Sequence, residues 1–236
     1  MSQPDLYDVW WTEAGAGEQR MEDSHDRHWR KILEAIAETD LSHKHILDFG
    51  CNQGGFLRFL YRERPFAYGL GIDLARQSVA VANQRKGDLP LDYVAAASLE
   101  PYAHQFDLAV SSAVIYLIED LADHAGQMAH ALKPGGVYYA AYTDYQGNPS
   151  LPKMRTEIDR YGAVKMQLHR LDDIALAFQG AGFAVCLRRM LPAGYIPLSL
   201  PDRFFEQVAD RMQYEYEQAY IFRFVAPDRS PDLVKK

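Results

Sequence analysis

His45-Ile46-Leu47-Asp48-Phe49, followed by Gly50-Cys51-Asn52-Gln53-Gly54-Gly55, is the stretch whose reading decides the fold. Its first five residues have strand character, and the turn after them runs straight into a segment, Gly55–Arg64, patterned as a helix. Glycine lets the chain turn sharply at positive φ and lets a ligand approach the main chain. Asn52 belongs to the few non-glycine residues that tolerate the left-handed conformation. Taken alone, such a loop also fits any tight strand-to-helix turn. It is not a phosphate loop, because Gly-x-x-x-x-Gly-Lys-Ser/Thr is absent, and the dinucleotide Gly-x-Gly-x-x-Gly does not fit either.

Outward from this loop the rhythm of short apolar runs and helical segments repeats. Strand character recurs at Ala67–Ile72, Leu91–Ala95, Phe106–Ser111, Val137–Thr143, Phe183–Met190 and Ala219–Val225. Helical patterns fall at Ser24–Glu38 with Ser24 as cap, Arg76–Lys86, Leu121–Leu132, Asp172–Gln179 and Asp202–Tyr216. Lys133-Pro134-Gly135-Gly136 reads as a helix stop and turn, and Pro152–Gln167 as a polar segment without a clear period. Strands alternating with helices imply βαβ units and a parallel sheet covered on both faces. In such sheets ligands bind beyond the carboxyl ends of the strands, where strand order reverses. The first loop therefore points at the site.

Composition agrees with one soluble globular domain. The chain has 236 residues, 48% of them apolar and 24% charged, and a net charge of −7. A negative balance is a poor footprint for a phosphate-backbone binder, so nucleic acid is demoted as a partner. Two cysteines, Cys51 and Cys186, build neither a disulfide framework nor a zinc site, and both read as small buried hydrophobes or, in one case, a loop filler. No signal peptide pattern opens the chain and no run approaches a membrane span, so the expected location is cytoplasmic, away from membranes.

A second acid, Asp73, closes Gly69-Leu70-Gly71-Ile72-Asp73. A carboxylate there accepts both hydroxyls of a ribose; the alternative is a cap for the helix that follows. Its position after the Asp48 loop favours the ribose.

At this point the residues resemble a family, the class I S-adenosylmethionine-dependent methyltransferases, over roughly residues 45–143. HILDFGCNQGG is similar to that family's first motif and GLGIDLA to its second. FDLAVSSAVIYLIED with ALKPGGVYYAAY resembles the fourth strand, linking helix and fifth strand, and HRLDDIALAFQGAGFAV the late helix and turn. The resemblance implies an α/β, Rossmann-like, doubly wound seven-stranded sheet, mostly parallel with an antiparallel last strand. It implies a single domain with cap helices over 1–43, a cofactor-binding core over 44–143, a substrate-shaping part with the last strands over 144–226, and a tail over 227–236.

It also implies a cofactor, S-adenosyl-L-methionine, and residues to hold it. Asp48, Gly50, Cys51, Asn52 and Gly54 would take its amino acid part, Asp73 its ribose, and Leu74 its adenine face. Ala97 and Ser98 would meet the adenine edge, and Ser111 and Ser112 would lie near the sulfonium. Tyr7 and Trp11 resemble the aromatic segment that members place over the cofactor. The sequence departs from the pattern in two ways: Asn52 replaces a glycine, and alanine at 96 and 97 stands where a polar residue meets the adenine.

The expected acceptor is a small molecule, with an aromatic or heteroaromatic ring favoured by the many tyrosines, and with O-, N- and C-methylation left open. Candidate bases each carry a plain alternative. His25 and His28 lie one turn apart on the N-terminal helix and also read as surface or packing residues. Tyr116 follows the fourth strand and also reads as a core aromatic. Tyr145, with Asp144, follows the fifth strand, where Asp144 also reads as a turn former; His169 reads as a cap-region residue. Leu191–Tyr216, with Pro192, Pro197 and Pro201, is read as shaping either acceptor choice or oligomer contacts. Competing readings are an RNA or protein methyltransferase, which needs a basic rim, and a protein that holds the cofactor without transferring a methyl. A nicotinamide dehydrogenase lacks its glycine fingerprint, and no cluster supports a metal-dependent mechanism.

Overall fold

A computed structural model of the chain describes residues 17–161 and 164–228. Seven strands form one sheet in the order β3-β2-β1-β4-β5-β7-β6. They are β1 (His45–Phe49), β2 (Tyr68–Asp73), β3 (Leu91–Ala95), β4 (Phe106–Ser111), β5 (Leu132–Thr143), β6 (Ala184–Arg189) and β7 (Ala219–Val225). The first five pair in parallel, and β7 runs antiparallel between β5 and β6. The order turns back on itself between β1 and β4, which places the crevice of a doubly wound sheet beyond Phe49 and Ser111.

The helices are α1 (Gly17–Ala35), α2 (Gly55–Glu63), α3 (Arg76–Arg85), α4 (Leu121–Ala131), α5 (Leu151–Tyr161), α6 (Leu171–Gly180) and α7 (Val208–Gln213). Alternate residues of β5 show how they cover the sheet. Val137, Tyr139 and Ala141 join a buried cluster with Trp29, Ile32, Phe56, Phe59 and Val79 from α1, α2 and α3. Tyr138, Ala140 and Tyr142 face the other way, among Ala125, Met128, Ile174 and Phe178 of α4 and α6. A third cluster, Tyr145, Met154, Ile158, Met166 and Phe205, lies outside the sheet. No described helix is long and apolar enough to cross a membrane.

Several elements differ from the sequence expectation. Helix α1 begins at Gly17 and runs through Ser24, so Ser24 is not its cap. Glu18, Gln19, Arg20 and Met21 are good helix formers without apolar periodicity, and periodicity alone does not reveal them. Strand β5 begins at Leu132, because Phe106 already pairs with Leu132 and Lys133–Gly136 is an excursion before Leu108 pairs with Val137. The expected helix Asp202–Tyr216 shrinks to α7 and a wide turn, Tyr214–Gln218. Asp202 accepts the amides of Phe204 and Phe205 at 2.8 and 3.1 Å, which makes a local turn in place of a helical start. Residues Leu151–Tyr161, without a clear period in sequence, form α5. Cys51 is buried as expected, whereas Cys186 is exposed on the edge strand β6. Among the many tyrosines, Tyr195 stands fully in solvent.

Candidate active site

The turn after β1 is laid across the end of β2. Gly50 and Cys51 both donate their amides to the Ile72 carbonyl, at 2.8 and 3.0 Å. Asn52 takes the left-handed conformation at φ 48° and donates its amide to Asp73 Oδ2 at 2.8 Å. Asp73 Oδ1 accepts the Ala75 amide at 2.9 Å, so this carboxylate braces the glycine loop against the start of α3. Each carboxylate oxygen offers more than one lone pair, which leaves acceptor capacity for a ligand. Gly54, at φ 73°, is fixed by packing: a Cβ there would lie 2.4 Å from the Tyr93 ring. Helix α4 starts cleanly on Asp120, whose side chain accepts two amides at 2.9 Å.

These elements open on a cavity of about 1240 Å³. That exceeds the roughly 300–1,000 Å³ of an ordinary small-molecule site and gives room for two ligands side by side. One end is built from Asp48, Gly50, Cys51, Asn52, Asp73, Leu74, Ala96, Ala97 and Ser112. The other is built from Tyr116, Tyr145, Met154, Ile158, Phe205 and Tyr214, with His25 and His28 of α1 along one side.

Three expected residues do not line the cavity. Gly54 packs on Tyr93, whose hydroxyl donates to its carbonyl, and the Ser98 hydroxyl accepts the Glu100 amide at 3.1 Å. Ser111 is fully buried, with its hydroxyl 2.6 Å from that of Tyr138, which in turn lies 3.1 Å from His124 Nε2. Ser112, the next residue, faces the cavity. Tyr7 and Trp11 lie outside the described residues. Asp144 accepts the Gln146 amide as a turn former, and His169 Nε2 contacts the Ile118 carbonyl at 2.6 Å.

Burial sets the charge states. Asp48 is 1% exposed, and its pKa is raised to about 8 by desolvation first and by Asp73 second. Its Oδ2 and the Oδ1 of Asn52 are buried acceptors without partners. Two unpaired acceptors at the closed end of a cavity are costly by themselves and suit a ligand that brings several N–H donors. Asp73 is raised by desolvation, opposed by its backbone hydrogen bonds.

At the other end, burial pushes the Tyr116 and Tyr145 hydroxyls well up, which makes them neutral donors and walls at neutral pH. Their rings lie 5.9 Å apart, and Tyr145 and Tyr214 lie 6.1 Å apart. Met154 and Ile158 are absent from the sequence candidates, and Phe205 and Tyr214 enter them only as part of the Leu191–Tyr216 stretch. They come from α5 and the 203–215 stretch, and only tertiary folding brings them to the crevice.

Residues 21–187 match the model of a family described as a methyltransferase domain. The chain is 28% identical over 192 residues to the phthiotriol/phenolphthiotriol dimycocerosates methyltransferase 1 of Mycobacterium ulcerans (strain Agy99), an alignment covering 80% of this chain and 68% of that protein. It is 28% identical over 158 residues to a trans-aconitate 2-methyltransferase of Acidovorax sp. (strain JS42), covering 66% of this chain and 58% of that one. Among solved structures, a putative methyltransferase in complex with the Haloferax volcanii Trm112 methyltransferase activator superposes with a TM-score of 0.76 at 21% identity, over 94% of this chain and 97% of that one. That likeness confirms the fold.

Proposed function

Because the chain belongs to the methyltransferase domain family, the class I S-adenosylmethionine-dependent enzymes, we propose that it transfers a methyl group to a small molecule with an apolar or aromatic body. The observation that carries this reading is the single cavity joining the glycine loop and its two acids to the wall of Tyr116, Tyr145 and Tyr214. The molecules named for the two relatives, a phthiotriol or phenolphthiotriol dimycocerosate and trans-aconitate, support a non-macromolecular acceptor.

Bound S-adenosylmethionine supplies an electrophilic methyl group on a sulfonium. Asp48 Oδ2 and Asn52 Oδ1, the unpartnered acceptors, would take the ammonium of its amino acid part. Asp73 would accept the ribose hydroxyls with the lone pairs its loop contacts leave unused. Leu74, 43% exposed at the cavity, and Ala96 and Ala97 would enclose the adenine. Ser112, past the end of β4, would border the sulfonium. The chain's own contribution is alignment: a rigid loop and an aromatic wall hold the acceptor in line and keep water out.

The test is a screen with isotopically labelled S-adenosylmethionine against hydroxylated, amino and carboxylated aromatic and aliphatic acceptors. Labelled small-molecule product supports the reading. Label appearing only in RNA or protein, or no turnover beside tight cofactor binding, refutes it in favour of the competing readings.

A further inference from the structure

Three histidines among the described residues line the cavity, in different surroundings. His124 Nε2 lies 3.1 Å from the Tyr138 hydroxyl within a buried relay that ends at Ser111. The His25 ring packs 5.7 Å from Trp29, whose ring leans on Phe56 and Phe59 of α2. His28 Nε2 is buried and without a hydrogen-bond partner.

The place of His28 follows from helical spacing. His28 and Lys31 are three residues apart and share a face of α1. Lys31 is paired to Glu215 at 2.9 Å, with both side chains largely buried. Glu215 follows Tyr214, which forms the acceptor wall with Tyr145. That ion pair ties the α1 face carrying Lys31 and His28 to the turn beside Tyr214. The charged groups that act on His28 are His25 and Lys31 on its own helix, and Lys31 is itself paired to Glu215 of the wide turn.

We infer that His28 receives the acceptor's proton, and hence that the acceptor presents a dissociable hydroxyl on its apolar or aromatic body; this rests on the proposed methyl transfer. The Nε2 lone pair takes the hydroxyl proton while the oxygen pair forms the new bond to the methyl carbon. The former carbon–sulfur pair stays with sulfur as a thioether. The positive charge lost at sulfur reappears on the imidazole, so the number of buried charges does not change.

Burial, with His25 and Lys31 nearby, holds the imidazole down at about 4, so at neutral pH the ring is neutral. An oxygen that develops negative charge beside it favours the protonated ring and strengthens the base when it is needed. Burial pushes Tyr116 and Tyr145 the other way, so their hydroxyls keep their protons at neutral pH.

The test uses the protein saturated with S-adenosylhomocysteine and two probes, 2-naphthol and its methyl ether, 2-methoxynaphthalene. Nitrogen-15 spectra of the imidazoles should show 2-naphthol moving the His28 Nε2 signal toward its protonated position, with the ether leaving it in place. His28→Gln should weaken 2-naphthol at least fivefold while ether and S-adenosylhomocysteine affinities stay within twofold, and His25→Gln should weaken neither probe. Equal binding of the two probes, no binding of 2-naphthol, an unmoved His28 signal in the wild-type protein, or the same loss in His25→Gln overturns the assignment. Failure of S-adenosylhomocysteine itself to bind defeats the proposed function and this assignment with it, whereas the naphthol results bear on His28 alone.

Discussion

Replacing the Asp48 carboxyl by an amide should change how the stability of the protein depends on pH, and the sign follows from its environment. In the unfolded chain the carboxyl ionises near its ordinary value of 3.8; in the folded protein, 1% exposed and beside Asp73, it holds its proton to about 8. Between those values the folded state binds one more proton than the unfolded state. Stability from this group is fully present below the unfolded value and is lost as pH rises, by about 1.4 kcal/mol per pH unit, until the folded value is passed. An amide has no proton to lose in this range, so Asp48→Asn should lack this slope. Urea unfolding followed by tryptophan fluorescence at pH 5, 6, 7 and 8 measures it as the wild-type minus variant difference. Binding of an ammonium-bearing ligand should also expel the Asp48 proton. Calorimetry with S-adenosylhomocysteine in two buffers of different ionisation enthalpy should then register close to one proton released near pH 7, and none for Asp48→Asn. A difference in stability that is flat with pH, together with no proton release, would mean that Asp48 is already ionised in the free protein. Burial would then not be what sets its charge.

Gly54→Ala forces a side chain into a left-handed position 2.4 Å from the Tyr93 ring; it should cost about 2–5 kcal/mol of stability in urea unfolding. Tyr138→Phe removes the hydroxyl shared by Ser111 and His124. It should cost about 1–3 kcal/mol and leave S-adenosylhomocysteine affinity unchanged, because neither Ser111 nor Tyr138 lines the cavity. Phe205→Ala opens the acceptor end, where its ring lies 5.3 Å from that of Tyr214. A loss of about 3 kcal/mol in stability, with cofactor affinity within twofold, would show that the two ends of the cavity are energetically separate.

The glycine-loop end of the cavity was legible in the sequence because it is local. His45–Phe49, Leu91–Ala95 and Phe106–Ser111 are strands at the residues expected. The loop that follows β1 needs glycine or asparagine at each left-handed position, which is written in the residue types. Ser111 and Ser112 are harder to tell apart. They are neighbours at the end of β4, and only the alternation of side chains across the sheet sends one into the Tyr138 relay and the other to the cavity. The aromatic end of the cavity was legible only in part: Leu191–Tyr216 was read as a shaping stretch, but Met154, Ile158, Phe205 and Tyr214 carry no shared period and meet only when α5 and the 203–215 stretch fold over the sheet. His28 was weighed beside His25 from spacing, but burial without a partner is a property of the folded chain. Cys186 looked buried because its neighbours are apolar; an edge strand exposes them.

The central claim is that Asp48, Asp73 and the loop between β1 and α2 hold S-adenosylmethionine. Calorimetric titration of S-adenosylhomocysteine into the wild-type protein and into Asp73→Ala tests it most directly. Micromolar binding to the wild type is expected, weakened tenfold or more in the variant, about 1.4 kcal/mol. No binding to the wild type, or equal binding to both, would contradict it.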